Sequence, residues 1–142
     1  MKEIILSENA PEPIGPYSQA VKLGNLLFLS GQIWIDPETG NLVTGGIGAE
    51  TRQIMSNISA ILDEESLAFE NVIKTTIFLT NLSVFNEVNQ IYAEYLTEDF
   101  PASSTIEVQA LPKGAKIEIE VIAEKPWYVF VTRGKEVSNR YK

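Results

Sequence analysis

The chain has 142 residues, of which 44% are hydrophobic, and it carries a formal net charge of −8. This length is enough for one domain to bury most of its apolar surface and is short for two domains. Because the sequence contains no Cys and no His, it excludes disulfides, thiolate nucleophiles and zinc–thiolate sites, as well as the usual general base near neutral pH. Any acid–base chemistry must therefore fall to carboxylates, lysine, tyrosine or water.

Charge and hydropathy limit the partners and the location of the protein. A net negative charge disfavours nucleic acid, because proteins that bind a phosphate backbone usually present a basic face. The only apolar run near the N-terminus, residues 4–6, is too short for a signal sequence. No segment reaches the roughly 20 apolar residues that cross a bilayer. We therefore expect a cytoplasmic protein with no membrane partner.

The first half of the chain predicts two strands and a helix. Residues 18–23 and 26–30 are short β-type runs separated by Gly24 and Asn25, a pair that is typical of a hairpin turn. From residue 47 to 65 the apolar positions change to a helical period. The predicted buried stripe of this helix comprises Ile47, Ile54, Ile58, Ile61 and Leu62.

The second half predicts a strand, a helix and two further strands. Residues 72–79 are rich in β-branched side chains and predict a largely buried strand. Asn81 and Ser83 can cap the next helix. Its predicted apolar face comprises Phe85, Val88, Tyr92 and Leu96. Residues 103–110 and 116–123 then alternate around a turn, which predicts a second hairpin, and two helices on one face of a mixed sheet give a two-layer α+β fold.

The last predicted strand carries acidic residues on one face. A period of two places Glu118 and Glu120 on the same side, roughly 7 Å apart. If the hairpin turn is centred on residues 112–113, Glu107 lies across from Glu118. Converging acids raise at least one pKa, as a carboxylate needs in order to exchange protons near neutrality. The alternative is that these acids form only the solvated face of an antiparallel sheet.

The charge pattern also predicts a boundary near Pro126. Residues 125–142 contain five basic residues and one acidic residue, so we expect a domain over residues 1–124 and a basic C-terminal extension over 125–142. Residues 127–131 alternate as a strand does. The extension is expected to add an edge strand or cover a cleft, unless it is foreign sequence.

Seven short motifs occur in order between residues 9 and 123. They are NAP (9–11), IGPYSQA (14–20), LSGQI (29–33), DPETG (36–40), FPA (100–102), LPK (111–113) and IEIE (117–120). Together with the order of the elements, they resemble the reactive-intermediate deaminase family, known as the RidA or YjgF family.

This resemblance implies a chorismate-mutase-like α+β fold and a homotrimer with three sites in clefts between subunits. It implies a metabolite-repair reaction, the hydrolysis of 2-imino or 2-enamino acids to 2-keto acids and ammonia, without a metal or organic cofactor. The expected partners are a small-molecule substrate or ligand and further copies of the chain.

The resemblance also implies the site residues, and we expect residues 100–123 to line much of the site. Glu118 matches the acid that orients or activates the attacking water. The expected substrate-binding residues are Tyr17, Ser30, Gly31, Asn89, Ser103 and Thr105. Structural alternatives stand beside three of them: Tyr17 could anchor its loop, Ser30 could end a strand, and Asn89 could be an ordinary exposed helix residue.

Position 103 departs from the family pattern. Active imine deaminases of this family typically have an arginine after the FPA motif, where this chain has Ser103. An arginine grips a carboxylate with a planar fork that a single hydroxyl cannot reproduce. We therefore expect the deaminase activity to be weakened or altered. Thr105 replaces a frequent cysteine, but its backbone carbonyl can still hold a water.

Two alternatives to the deaminase remain open. One is a non-catalytic trimer that binds or regulates through a small metabolite, and Ser103 motivates it. The other is a ribonuclease or translation inhibitor, an older label of the family, which the net charge and the lack of His disfavour.

Overall fold

The structure, a computed structural model, describes residues 1–126 as six strands and two α-helices. The strands are β1 (Glu3–Ile5), β2 (Ala20–Leu23), β3 (Leu26–Gln32), β4 (Val72–Leu79), β5 (Ala102–Glu107) and β6 (Ile117–Glu124). The helices are α1 (Ile47–Asp63) and α2 (Phe85–Tyr95). The strand predicted at residues 127–131 and the rest of the basic extension beyond Pro126 lie outside the described residues.

The strands form one mixed sheet in the order β1-β2-β3-β6-β4-β5. Neighbouring strands are antiparallel except for β4 and β5, which run parallel. The predicted hairpin of β2 and β3 is confirmed, and its turn includes Gly24 at a φ of 61°, a conformation that favours glycine. Periodicity does not predict β1, because three residues, of which only Ile5 is buried, are too few to show a period.

The predicted second hairpin is wrong. β5 pairs with β4, whereas β6 lies between β3 and β4. Burial explains the difference: β6 buries every second side chain and gains a neighbour on both edges, whereas all residues of β5 except Thr105 are exposed, which suits an edge strand. Consequently Glu118 lies opposite Phe78, and Glu107 instead accepts a hydrogen bond from the Leu82 N–H at 3.0 Å.

The helices and the sheet enclose one hydrophobic core. Four residues of the predicted stripe of α1 are fully buried, namely Ile54, Ile58, Ile61 and Leu62, and the fifth, Ile47, is partly buried against the core. In α2, Val88 and Tyr92 are buried, but Phe85 is exposed because it is the first residue of the helix, after a 3-10 turn. The α+β class with a mixed sheet is confirmed. Neither helix in the described part of the chain is long and apolar enough to cross a membrane.

Charged side chains hold the end of β6 that leads out of the domain. The Asn25 side-chain amide donates to Glu124 at 2.9 Å, and the Lys125 N–H donates to the Asn25 carbonyl at 2.7 Å. Lys22 and Lys125 each donate to the same oxygen of Glu65 at 3.0 Å. Burial alone would raise the pKa of the Glu65 carboxyl, but the two lysines outweigh it and hold this pKa below its ordinary value. We call Lys22, Glu65 and Lys125 the Glu65 cluster.

Candidate functional site

A cleft of about 250 Å³ opens where β3 ends and β6 begins. The antiparallel ladder places Gln32 opposite Ile119 and so brings the end of β3 beside the start of β6. The loop before β2 forms the remaining wall. The polar lining comprises Glu12, Tyr17, Gln19, Ser30, Gln32 and Glu118, together with the backbone of Gly31.

Glu118 lies in this cleft on the sheet face opposite the core, because its neighbours Ile117 and Ile119 are fully buried. Its carboxylate is half-buried and forms no hydrogen bond or ion pair with residues 1–126. This partial burial, and to a lesser degree the charge of Glu120, raises the pKa of the Glu118 carboxyl above its ordinary value. The pKa is raised as predicted, but the predicted convergence of three acids is wrong, because burial is the larger cause and Glu107 takes no part. Glu118 can therefore take up and release a proton nearer neutral pH than an exposed glutamate.

Gly31 packs its backbone against the Glu118 carboxyl group. A Cβ atom built on Gly31 would overlap this carboxyl, so only glycine allows the two residues to approach so closely. The ladder between β3 and β6 shifts register between Leu29 and Gln32, and such irregularities re-aim local side chains. The sequence predicts both residues for the site, and the structure places them in direct contact.

Tyr17 and Ser30 line the cleft and also hold its walls. The phenol oxygen of Tyr17 accepts a hydrogen bond from the Ile14 N–H at 3.2 Å, and half of the side chain is exposed. The Ser30 hydroxyl donates to the Ser18 carbonyl at 2.6 Å. Tyr17 therefore anchors its loop, as the structural alternative expects, without leaving the cleft.

Gln19 fixes the loop that forms the outer wall, and sequence reasoning missed its role. Its buried side chain accepts from the Ser7 N–H at 2.6 Å and donates to the carbonyls of Ser7 at 3.0 Å and Pro11 at 2.9 Å. A fully bonded, buried amide of this kind rigidifies the segments that it joins. The IGPYSQA motif contained Gln19, but nothing in its spacing indicated which side chain would turn inward.

Asn89, Ser103 and Thr105 lie outside this cleft. Ser103 stands beside Thr75 in the ladder of β4 and β5. Thr75 in turn accepts a hydrogen bond from the Tyr92 hydroxyl of α2 at 2.9 Å, so this side of the ladder is the one covered by the helices.

The predicted site residues therefore form two groups on opposite sides of the sheet. Asn89 lies one turn before Tyr92 on α2, on the same side as Ser103, whereas Glu118 faces the other side. Of the expected stretch from residue 100 to 123, only Pro112 and Glu118 line the cleft. In residues 1–126 no three acidic side chains converge to hold a metal ion.

The family model described as Endoribonuclease L-PSP matches residues 7–125. The chain belongs to this family. The RidA resemblance of the seven motifs is thereby confirmed. A RutC family protein of Pyrococcus horikoshii is 53% identical over 125 residues, which cover 88% of this chain and 99% of that protein. The human 2-iminobutanoate/2-iminopropanoate deaminase is 45% identical over 123 residues, which cover 87% of this chain and 90% of that protein.

The fold is shared with solved structures of the RidA family. The crystal structure of the conserved Rid protein YyfA of Yersinia pestis matches with a TM-score of 0.85 and 50% identity, covering 88% of this chain and 100% of that chain. Glu12 is another cleft residue that sequence reasoning missed, because it falls between the NAP and IGPYSQA motifs. Its only sequence signal is an acidic residue between two prolines.

Proposed function

We propose that this RidA-family protein hydrolyses 2-imino or 2-enamino acids to 2-keto acids and ammonia, with an activity that Ser103 weakens or alters. The observation that carries the proposal is the unpaired, half-buried carboxylate of Glu118 against the backbone of Gly31 in a cleft. The similarity to the human 2-iminobutanoate/2-iminopropanoate deaminase supports this reaction class.

In the proposed reaction, Glu118 holds the water that attacks the imine carbon. Its carboxylate accepts a proton from the water as the carbon–oxygen bond forms and passes that proton to the imine nitrogen, which gives a neutral carbinolamine. Glu118 then accepts the carbinolamine hydroxyl proton and returns it to the nitrogen, so that the carbon–nitrogen bond breaks, ammonia leaves and the carbonyl of the 2-keto acid forms. A carboxyl with a raised pKa suits both steps, because it gains and returns the proton near the working pH.

We propose that the complete site forms between copies of the chain in a homotrimer. Asn89 and Ser103 lie on the helix-covered side of the sheet, and Glu118 lies on the other side. One chain cannot close a single site around both groups, whereas a second copy can present its β5 edge to the cleft. Light scattering should then give a mass three times that of the 15.8 kDa chain.

Ser103 determines how strongly such a site can hold a substrate carboxylate. A neutral hydroxyl lacks the positive charge of a guanidinium and its second N–H donor. Losing a hydrogen bond to a charged group costs about 1.5–3 kcal/mol. We therefore expect Ser103→Arg to raise kcat/KM for 2-iminobutanoate by about 10- to 100-fold.

The test follows ammonia release while a threonine dehydratase supplies 2-iminobutanoate in situ. The wild-type protein should accelerate release over the spontaneous reaction, and Glu118→Gln should slow it by about 100-fold or more. Glu98→Gln is the matched control, because it removes the same charge from an exposed loop outside the cleft. A Glu118→Gln variant as fast as wild type would overturn the assigned role.

A non-catalytic trimer that binds or regulates through a small metabolite is the second candidate, and Ser103 favours it. In that case the wild-type protein leaves the spontaneous rate unchanged, while Ser103→Arg creates activity. The family is also described as an endoribonuclease family, which raises a ribonuclease as a third candidate. The net charge of −8 and the absence of His weigh against it, and we expect no RNA binding even at low ionic strength.

A further inference from the structure

Glu12 adds a second carboxylate to the wall of the cleft that contains Glu118. Neither carboxylate forms an ion pair within residues 1–126, where the salt bridges involve only Lys22, Arg52 and Lys125 as cations. No lysine or arginine of the described chain lines the cleft. Glu118 is half-buried and Glu12 is exposed, so the two unpaired carboxylates give the cleft a negative potential that water screens least near Glu118.

The backbone of Glu12 is held firmly in place. Glu12 stands between Pro11 and Pro13, whose rings fix their own φ angles. The buried Gln19 side chain donates to the carbonyls of Ala10 at 3.3 Å and Pro11 at 2.9 Å. The exposed Glu12 side chain therefore extends from a fixed backbone, in the wall that the cleft shares with a neighbouring hollow.

Lys113 does not neutralise this charge. It lines a neighbouring hollow that shares Pro11 and Glu12 with the cleft and that Glu8 also lines. Lys113 is exposed and forms no ion pair with either glutamate. Lys113 and Glu12 are both exposed, so water screens both charges, and Glu12 can act on a ligand only by pairing with it directly at the mouth of the cleft.

We propose that Glu12 is a specificity residue that makes the cleft prefer substrates with a cationic side chain. This inference rests on the proposed deaminase function. The guanidinium or ammonium end of a 2-imino acid would pair with Glu12 while the imine carbon faces the water held by Glu118. A neutral side chain lacks this pairing, and an acidic side chain is repelled by both carboxylates.

A matched pair of substrates tests the preference. An amino-acid oxidase forms the 2-imino acids of arginine and citrulline in situ, and these differ only in a charged guanidinium against a neutral ureido group of nearly equal size. At low salt the wild-type kcat/KM should be about fivefold higher for the arginine-derived imine, mainly through KM. Glu12→Gln should bring the ratio close to one, and added salt should lower the wild-type ratio.

Glu8→Gln is the matched control, since it removes the same charge from the neighbouring hollow without touching the cleft. If Glu8→Gln lowers the ratio as much as Glu12→Gln does, the preference belongs to the general charge of the protein and the inference fails. If wild type hydrolyses both imines equally well, the proposed function stands and the inference again fails.

Direct binding decides the inference even if no imine is hydrolysed, an outcome that would overturn only the proposed function. Calorimetry should show that the wild-type protein binds arginine more tightly than citrulline, with the difference removed by Glu12→Gln and kept by Glu8→Gln. Equal binding of the two amino acids by wild type would overturn the role of Glu12.

Discussion

Two carboxylates of opposite character lie near the two ends of β6, Glu118 on the strand itself and Glu65 just after α1. At the cleft end, Glu118 has no hydrogen bond or ion pair within the described chain, and its pKa is raised. At the exit end, Glu65 contacts Lys22 and Lys125, and its pKa is lowered. Burial raises the pKa of both carboxyls, so the partners decide the sign of the shift.

This difference separates a carboxylate that stabilises the fold from one that is available for chemistry. The Glu65 cluster joins β2, the end of α1 and the end of β6 through charged hydrogen bonds, which contribute to the stability of the domain. Glu118 gains no such contact and its partial desolvation opposes folding. Unpaired acids with shifted pKa values are typical of functional sites.

Of these substitutions, Gly31→Ala should have the largest effect, which is on activity, because it displaces the carboxyl group to which we assign the chemistry. The new Cβ would overlap the Glu118 carboxyl and displace it from its position beside β3. We expect the proposed deaminase activity to fall by about 100-fold or more, as for loss of a general acid–base group. The assay is ammonia release, with thermal melting to show that the variant is folded.

Gly48→Ala provides the control for this substitution. A Cβ on Gly48 would meet only side-chain atoms of Glu87 and Ile91 at 4.0 Å, an ordinary contact on α1. This variant should keep full activity. A Gly31→Ala protein that is folded and equally active would show that the close approach of Gly31 and Glu118 is not needed.

Glu65→Gln should have a smaller effect, and on stability alone. It removes the charge that two lysines share, so we expect the free energy of unfolding to fall by about 1 kcal/mol at pH 7. Chemical denaturation measures the loss, and Glu94→Gln, at the more exposed pair with Arg52, should lose less.

The pH dependence of this stability difference has a definite sign. Because the folded pKa of Glu65 lies below its ordinary value, its contribution is complete above the ordinary glutamate pKa. It disappears as the pH falls through the lowered pKa. Wild type and Glu65→Gln should therefore converge in stability in acid, and a difference that persists unchanged there would contradict the ionic role of the cluster.

Periodicity predicts the elements of this fold better than their arrangement. The stripe of α1, the bounds of β4 and the alternation of β6 all follow from local burial, which a sequence encodes directly. The neighbour of a strand is a long-range property. The pairing of β5 with β4 could have been inferred only from the polar sequence of β5, which suits an edge.

For the site, too, local patterns predict single residues better than they predict which residues come together. Motifs identify Tyr17, Gly31 and Glu118, which line one cleft. Glu12 and Gln19 belong to that cleft through the path of the proline loop, which no local pattern specifies. The relation of Ser103 to Glu118 depends on a second copy of the chain, and this remains a prediction.

Glu120→Gln should give the smallest effect and tests whether neighbouring charge, besides burial, acts on Glu118. Glu120 lies on the same face two residues away, and its negative charge is the lesser of the two causes that raise the pKa of Glu118. Removing that charge lowers this pKa, so the carboxylate form persists to lower pH. If the carboxylate is the active form, the acid limb of kcat/KM should move to lower pH.

Lys125→Met supplies the opposite case at the other end of β6. It removes a positive neighbour from Glu65 and should raise the pKa of that carboxyl, which NMR titration can follow. High salt should reduce the effect of Glu120→Gln on the pKa of Glu118 more than the effect of Lys125→Met on the pKa of Glu65. The reason is that Glu120 is exposed whereas the Glu65 cluster is partly buried. An acid limb that does not move for Glu120→Gln at low salt would leave burial as the sole cause at Glu118, and the two ends would then differ in desolvation as well as in partners.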